Sequence, residues 1–118
     1  MARVTITAQA LPAATGFNLT DATFTTMATG TGNGVSFAYD ARDVVVLKNT
    51  TGGNAIYTFV VGKEPSNYAA YSIAVTDPTV TVATLKTHLI KLNSIFEQTG
   101  SLVFIDCDVA ADILVLNL

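Results

Sequence analysis

Short stretches of β-branched and aromatic residues recur along this 118-residue chain, and turn-forming residues interrupt them at regular intervals. Residues 4–8 alternate apolar and polar side chains, which is the period of a half-buried β-strand. Residues 44–47 are all apolar, which is typical of a central strand with both faces covered. The loop at 49–54 is rich in glycine and asparagine, as a hairpin connection requires. Further strand-like stretches are residues 22–27, 35–39, 56–61, 71–75, 80–82, 102–105 and 113–116.

About eight short strands separated by turn signals predict an all-β fold, an antiparallel β-sandwich of jelly-roll-like type. A chain of this length has room for one hydrophobic core, so we expect a single domain over residues 1–118. Within it, residues 1–15 are the candidate for an extended N-terminal arm.

Residues 85–98 fit a strand less well than the other stretches. Four large apolar residues recur there at helical spacing, namely Leu85, Leu89, Leu92 and Phe96. This periodicity favours an amphipathic helix, with Gly100 as its C-terminal cap. Against a helix, the β-branched residues 79–84 lead directly into the segment. Both interpretations stay open on the pattern alone.

The composition is short of charge, with 13% charged and 50% hydrophobic residues, against about 25% charged in typical soluble domains. Either threonine and asparagine cover the surface or a protein partner hides part of it, and we favour the partner. The net charge of −3 and six scattered basic residues argue against nucleic acid. No apolar run reaches the ~20 residues of a membrane span, and the first residues do not resemble a signal peptide.

The sequence shows no set of residues that would make an enzyme. Its one histidine, His88, could pair with Ser72 or Ser94, but nothing resembles a nucleophile elbow. We therefore predict a non-enzyme with no cofactor. Residues 30–34 are rich in glycine but lack dinucleotide-loop spacing, and they predict a flexible loop.

Three aspartates near the C-terminus, Asp106, Asp108 and Asp112, form an acidic cluster without the glycine and glutamate of a calcium loop. They predict a solvated turn and no metal site. Cys107 lies alone in an apolar segment and is expected to be a small buried hydrophobe. The last strand is apolar on both faces up to Leu118, so it is covered either inside the domain or between copies.

Three parts of the sequence resemble small capsid-associated proteins of tailed bacteriophages. They are the opening residues 1–9 (MARVTITAQ), the strand–loop–strand block 45–61 with its Asn-Thr-Thr-Gly turn, and the ending. In the ending, Gln98-Thr99-Gly100 precedes strand-like residues 102–105 and 113–118. The resemblance covers most of the chain and depends on the order of strands and turns.

The resembling family comprises head decoration, or cement, proteins, which are β-sandwiches or jelly rolls docked outside the icosahedral shell. The resemblance implies that this protein bridges neighbouring major capsid proteins and associates with itself as a dimer or trimer. It also implies synthesis in a bacterial cytoplasm, a final location on the virion surface, and no catalytic residues. The family has a strand and a proline-containing loop at 85–98. This chain lacks the proline, so we predict a strand to about Ile90 and then a loop or helical turn.

Candidate contact residues lie in the N-terminal segment, in the loop at 49–54, in the loop at 63–68 and at the C-terminus. They are Arg3, Val4, Ile6, Asn49, Thr50, Asn54, Lys63, Tyr68 and Leu118. An alternative function is a ligand-binding β-sandwich that reads carbohydrate or a host surface. That function requires an exposed aromatic cluster, for which Tyr57, Tyr68 and Tyr71 are the candidates.

Overall fold

The structure is a computed structural model, and it describes residues 3–11, 24–62, 77–92, 94–98 and 100–117. In this part of the chain, two β-sheets pack face to face. Their strands are β1 Val4–Thr5, β2 Gln9–Ala10, β3 Thr25–Thr26, β4 Val35–Ala38, β5 Asp43–Lys48, β6 Ala55–Phe59, β7 Thr79–Val82, β8 Thr87–Lys91, β9 Leu102–Cys107 and β10 Asp112–Asn117. The predicted all-β sandwich is confirmed. The strand predicted at 71–75 lies outside the described residues.

The first sheet has the strand order β1-β4-β9-β6-β7, and the second has the order β2-β10-β5-β8. Strand β3 also joins the second sheet, pairing with β10 beside β2. The long strands pair antiparallel, as the sequence predicts. The short strands β1 and β2 pair parallel to β4 and β10, so both sheets are mixed.

The core lies between the sheets and follows from the alternation of side chains along each strand. Val45 and Leu47 of β5 face inward and are fully buried with Phe37 and Tyr57 of the first sheet. The Tyr57 hydroxyl lies 2.8 Å from the carbonyl oxygen of Asp112 and so links the two sheets. Burial, followed by the nearby Cys107 and Asp112, raises the pKa of Tyr57, which keeps it a neutral donor.

The last strand, β10, is covered on both faces within one copy of the chain. Ile113 and Val115 belong to the core, while Leu114 and Leu116 pack with Val46 in a second cluster on the outer face of the second sheet. Burial of both faces within one chain is sufficient to explain the apolar sequence of β10, so the explanation does not require contact between copies. Leu118 lies outside the described residues.

The helix considered for 85–98 is not present. Strand β8 occupies Thr87–Lys91, and a 3₁₀ helix follows at Ser94–Phe96. The predicted strand followed by a helical turn is therefore confirmed, and the amphipathic helix is wrong. Pairing of β8 with the edge of β5 satisfies backbone groups that a helix would have left unpaired. Among the described residues, no helix has the length and hydropathy needed to cross a membrane.

The N-terminal segment, residues 3–11, crosses from one sheet to the other. Val4 N–H donates to Gly34 O at 3.0 Å in the first sheet, and Leu11 N–H donates to Asn117 O at 2.9 Å in the second. The described part of the predicted arm is thus hydrogen-bonded along one side of the sandwich. Residues 12–15 lie outside the described part.

Candidate functional site

The groups considered for chemistry lie apart in the fold. His88 is exposed on β8, and Ser94 is exposed in the 3₁₀ helix, whereas Ser72 lies outside the described residues. Cys107 is buried in the core as predicted, and burial raises the pKa of its thiol. Within the described ranges, no group of three histidine, cysteine or acidic residues is placed to hold a metal.

Each of the three clustered aspartates has a separate structural partner. The Asp108 carboxylate accepts the Ile56 N–H at 2.8 Å, and the Asp112 carboxylate accepts the Thr26 hydroxyl at 2.9 Å. Asp106 is buried, so it is not part of a solvated turn as the sequence predicted.

Asp106 forms a bidentate ion pair with Arg3. Arg3 Nε donates to Oδ1 at 2.9 Å and Nη2 donates to Oδ2 at 2.6 Å. The N–H groups of Gly32 and Gly34 donate to the same carboxylate at 3.0 and 3.1 Å. The Arg3 guanidinium also lies 4.5 Å from the centroid of the Phe104 ring. This arrangement, the N-terminal latch, fastens the start of the chain to β9.

The N-terminal latch gives the glycine-rich run 30–34 a role that the sequence did not reveal. Backbone N–H groups of a glycine-rich loop can bind an anion, and here the N–H groups of Gly32 and Gly34 bind the carboxylate of Asp106 in the same chain. A Cβ on Gly34 would lie 2.0 Å from the carbonyl oxygen of Ile105, so only glycine fits. The loop is therefore held to β9 rather than free.

Asn49 is the centre of a second polar network, and none of its surface is exposed. Its amide nitrogen donates to Gly53 O at 2.7 Å and to Val82 O at 2.8 Å. Its amide oxygen accepts the N–H and hydroxyl of Thr51 at 2.9 and 2.6 Å. All four hydrogen-bonding positions of the side chain are used, so Asn49 builds the loop and its side chain has no free hydrogen-bonding position for a partner.

The backbone of Asn49 holds the connection between β7 and β8. Its N–H donates to Lys86 O at 3.0 Å, and its C=O accepts the Leu85 N–H at 2.8 Å. Leu85 and Lys86 together thus oppose one residue, which is a β-bulge. Lys86 N–H also closes a turn onto Ala83 O at 3.1 Å, and Thr84 Oγ donates to Thr51 O.

Leu85 adopts a left-handed backbone conformation at this bulge, with φ +63°. Leu85 is the third residue of the turn formed by residues 83–86 and the first residue of the bulge. A left-handed conformation at either position favours glycine or asparagine. A left-handed conformation costs a residue with a Cβ roughly 1–2 kcal/mol. The side chain recovers little by burial, because it is 80% exposed. The fold therefore displays a large apolar side chain at a position whose backbone conformation favours glycine.

We call residues 83–89 the apolar corner, because this run joins the edges of both sheets and every residue in it is exposed. Leu89 is 62% exposed and shares with its partner Val46 the outer face of the second sheet. The corner contains Lys86 and His88 but no acidic residue.

Strand β8 also offers backbone hydrogen-bonding groups. In the described part of the chain it pairs only with β5. Because the Lys86 carbonyl faces β5, the alternation of an antiparallel ladder directs the N–H and C=O of Thr87 and Leu89 away from it. An edge of this kind can accept a strand from another protein.

The structure does not gather the predicted contact residues into one surface. Val4 is 49% exposed in β1, Ile6 packs partly against the core, and Arg3 is held in the N-terminal latch. Thr50 and Asn54 are exposed on the loop that Asn49 builds. Lys63, Tyr68 and Leu118 lie outside the described residues.

The aromatic side chains do not form the exposed cluster that a ligand-binding module would need, as far as the described ranges go. Tyr57 is fully buried in the core. Phe24, Tyr39, Phe96 and Phe104 are half-buried. Tyr68 and Tyr71 lie outside these ranges.

The sequence did not single out Leu85 and Leu89 as surface residues, because helical spacing assigned them to a buried stripe. The interpretation of this segment as a strand does indicate that both leucines are exposed. Positions 85, 87, 89 and 91 of a strand share one face. That face carries threonine and lysine beside the two leucines, which is typical of an exposed surface.

Comparison with known proteins does not assign the chain to a family: no family model, curated protein or solved structure matches it.

Proposed function

We propose that this protein is a structural virion protein that docks on the outside of a phage capsid and cements neighbouring major capsid proteins. The observation that carries the proposal is Leu85, an exposed apolar side chain held in a left-handed conformation. Strain of this kind persists where surrounding structure enforces it, and it clusters at sites of recognition.

The network behind the apolar corner supports a recognition role. Asn49 is fully buried and fully hydrogen-bonded, and its backbone binds both Leu85 and Lys86. The corner is thus positioned before a partner arrives, which reduces the ordering cost of binding. An interface core of exposed leucines inside a polar rim matches the anatomy of protein contact sites.

The charge of the corner indicates the chemistry of its partner. Residues 79–92 contain Lys86 and Lys91 and no acidic residue, although the whole chain has a net charge of −3. A capsid subunit would therefore offer an apolar depression with carboxylates at its rim. Opposite charges at the rim set orientation and association rate, while the leucines supply the buried apolar area.

A cement protein acts by binding a state that only the assembled shell presents. Binding to that state and not to separate subunits stabilises the shell by mass action. Many copies on a symmetric lattice, or a dimer or trimer that binds through several corners, make a modest affinity per contact sufficient.

Co-sedimentation with undecorated capsid shells of the same phage tests the proposal. The shells should carry bound wild-type protein at a fixed ratio to major capsid protein, and decorated shells should withstand higher temperature. Leu89→Ser should weaken binding by at least about tenfold, the effect of losing roughly 1.4 kcal/mol at an interface.

Leu11→Ser is the matched control, because Leu11 is 39% exposed beside β2, at the opposite edge of the second sheet. It should leave binding unchanged. A protein that stays monomeric by light scattering and does not sediment with the shells would refute the proposal.

A further inference from the structure

Asn33 is the only asparagine of this chain that is followed by glycine. An asparagine in that position can lose its side-chain amide without an enzyme, because the backbone nitrogen of the next residue attacks its Cγ. Glycine hinders this attack least, since it has no Cβ and a mobile backbone. The bond between Asn33 and Gly34 is therefore open to a chemical change whose rate depends on how the fold holds it.

The change is a deamidation that needs only the chain and water. A bond forms between Gly34 N and Asn33 Cγ, and the bond between Cγ and Nδ2 breaks. The proton of the Gly34 N–H leaves with Nδ2 as ammonia, and a cyclic imide results. Water then opens the ring at one of its two carbonyls, which gives aspartate or isoaspartate at position 33.

Both groups that must meet in this reaction are bound elsewhere in the folded chain. The Gly34 N–H donates to Asp106 Oδ1 at 3.1 Å, and this hydrogen bond is buried. The Asn33 side-chain amide donates to Thr29 O at 2.9 Å. The Gly34 carbonyl accepts the Val4 N–H at 3.0 Å, so the backbone of Gly34 is held on both sides.

The charge of Asp106 also opposes the reaction. The attacking nitrogen must give up its proton, and a nearby carboxylate disfavours the negative charge that would form on it. Arg3 binds both oxygens of Asp106, at 2.9 and 2.6 Å, and so favours the charged carboxylate. The same ion pair makes Asp106 a poor base for the Gly34 proton.

Close packing keeps Gly34 in this position. Gly34 is buried, and a Cβ on it would overlap the backbone of Ile105 and Asp106. Asn33 is only half-buried, so water reaches its side chain. The bond is thus protected by the immobility of Gly34 and not by exclusion of water.

We infer that Asn33 is a deamidation site and that the N-terminal latch protects it. One hydrogen bond of Gly34 comes from Val4 of the N-terminal segment. The other goes to Asp106, which Arg3 of the same segment holds in its charged form. A chain with a docked N-terminal segment keeps its asparagine, whereas a chain with a released segment converts it.

Conversion prevents the latch from forming again as before. Isoaspartate adds a methylene to the backbone just before Gly34, which displaces the N–H that Asp106 accepts. Either product also places a new carboxylate in the loop that binds Asp106, and two like charges at close range repel each other. The modification therefore records, in one direction only, that the latch has been open.

Mass spectrometry of the full-length protein, incubated at mildly alkaline pH, tests this inference. Peptide maps quantify conversion at Asn33, and labelling by an isoaspartyl methyltransferase identifies isoaspartate. The folded wild type should convert at least about tenfold more slowly than the same chain unfolded in urea.

Three variants distinguish opening of the latch from unfolding of the whole protein. Arg3→Ala should convert Asn33 at least about tenfold faster than the wild type. Arg3→Lys keeps the charge without the bidentate geometry and should convert at an intermediate rate. Asn49→Ala is the matched control, because it weakens the fold in a loop outside the latch, and it should convert at the wild-type rate. Circular dichroism establishes that each variant is folded, and Arg3→Lys decides the comparison if Arg3→Ala does not fold.

Any of three results would overturn the inference. The first is an equal rate of conversion in the folded and the urea-unfolded wild type. The second is a folded Arg3 variant that converts no faster than the wild type. The third is an Asn49→Ala protein that converts as fast as the Arg3 variant, since unfolding of the whole protein would then control the rate.

Discussion

At the scale of single residues, the ends of the sandwich are held by a few buried polar side chains with complete sets of partners. Asp106 accepts two hydrogen bonds from Arg3 and two from backbone N–H groups. Burial raises the pKa of Asp106, but the Arg3 side chain, the Gly32 and Gly34 amides and the Arg3 charge together lower it below its ordinary value of 3.8. The charged form is therefore the one that the fold stabilises.

Asp106→Asn should reduce the free energy of unfolding by about 2–3 kcal/mol, since it leaves Arg3 without its charged partner. Because the folded-state pKa is depressed, the contribution of Asp106 is complete above about pH 4 and is lost as pH falls through the folded pKa. Urea unfolding at pH 7 and at pH 3 measures this.

The variant should be less pH-sensitive than the wild type between those two values. Asp108→Asn, at an exposed residue with one backbone partner, should cost less than about 1 kcal/mol and keep the wild-type pH profile. If both substitutions reduced the free energy of unfolding by the same amount, the N-terminal latch would contribute no more to stability than the single hydrogen bond of Asp108.

Asn49 and Asn54 offer a matched pair within one loop. Asn49→Ala should destabilise the protein by about 2–4 kcal/mol, because it removes the Asn49 hydrogen bonds to the buried Val82 carbonyl, to the Gly53 carbonyl and from the Thr51 N–H. Asn54→Ala, at an exposed position, should stay within about 0.5 kcal/mol of the wild type. Denaturant unfolding measures both, and similar losses would contradict the role given to Asn49.

At the scale of elements, the sequence predicted the long strands well, because alternation and turn residues act locally. Val44–Leu47 and the C-terminal strand are the two central strands of the second sheet, as their apolar faces indicate. The helical spacing in segment 85–98 does not indicate a helix, because the four apolar residues that produce it have different environments. Leu85 and Leu89 are exposed, Leu92 is buried in the core, and Phe96 packs edge-on against Phe59 with ring centroids 5.8 Å apart.

The candidate site was harder to predict than the strands because it depends on contacts distant in sequence. The conformation of Leu85 is set by the backbone of Asn49, and the position of Asn49 is set by a hydrogen bond to Val82. No local pattern encodes a leucine at a position that favours glycine. Similarly, the pairing of the N-terminal segment follows from an ion pair between residues 103 positions apart.

At the scale of the whole molecule, the N-terminal segment ties the two sheets together. It pairs with β4 and β10 and supplies Arg3 to the N-terminal latch. Deleting residues 1–11 should lower the free energy of unfolding by about 3–5 kcal/mol or more, because Asp106 would be left buried and unpaired. Circular dichroism during urea unfolding measures the loss. A truncated protein as stable as the full chain would show that residues 1–11 are an extended arm that does not contribute to stability.

The central claim is that this sandwich tolerates strain at Leu85 in order to present a contact residue. Leu85→Gly measures that claim directly, since glycine accepts the left-handed conformation and removes the side chain. Relief of roughly 1–2 kcal/mol of strain outweighs about 0.5–1 kcal/mol of extra unfolded-state entropy, so the variant should be equally or more stable. Its binding to undecorated capsid shells should nevertheless fall by at least about tenfold. A variant that loses stability, or one that binds the shells as the wild type does, would contradict the account.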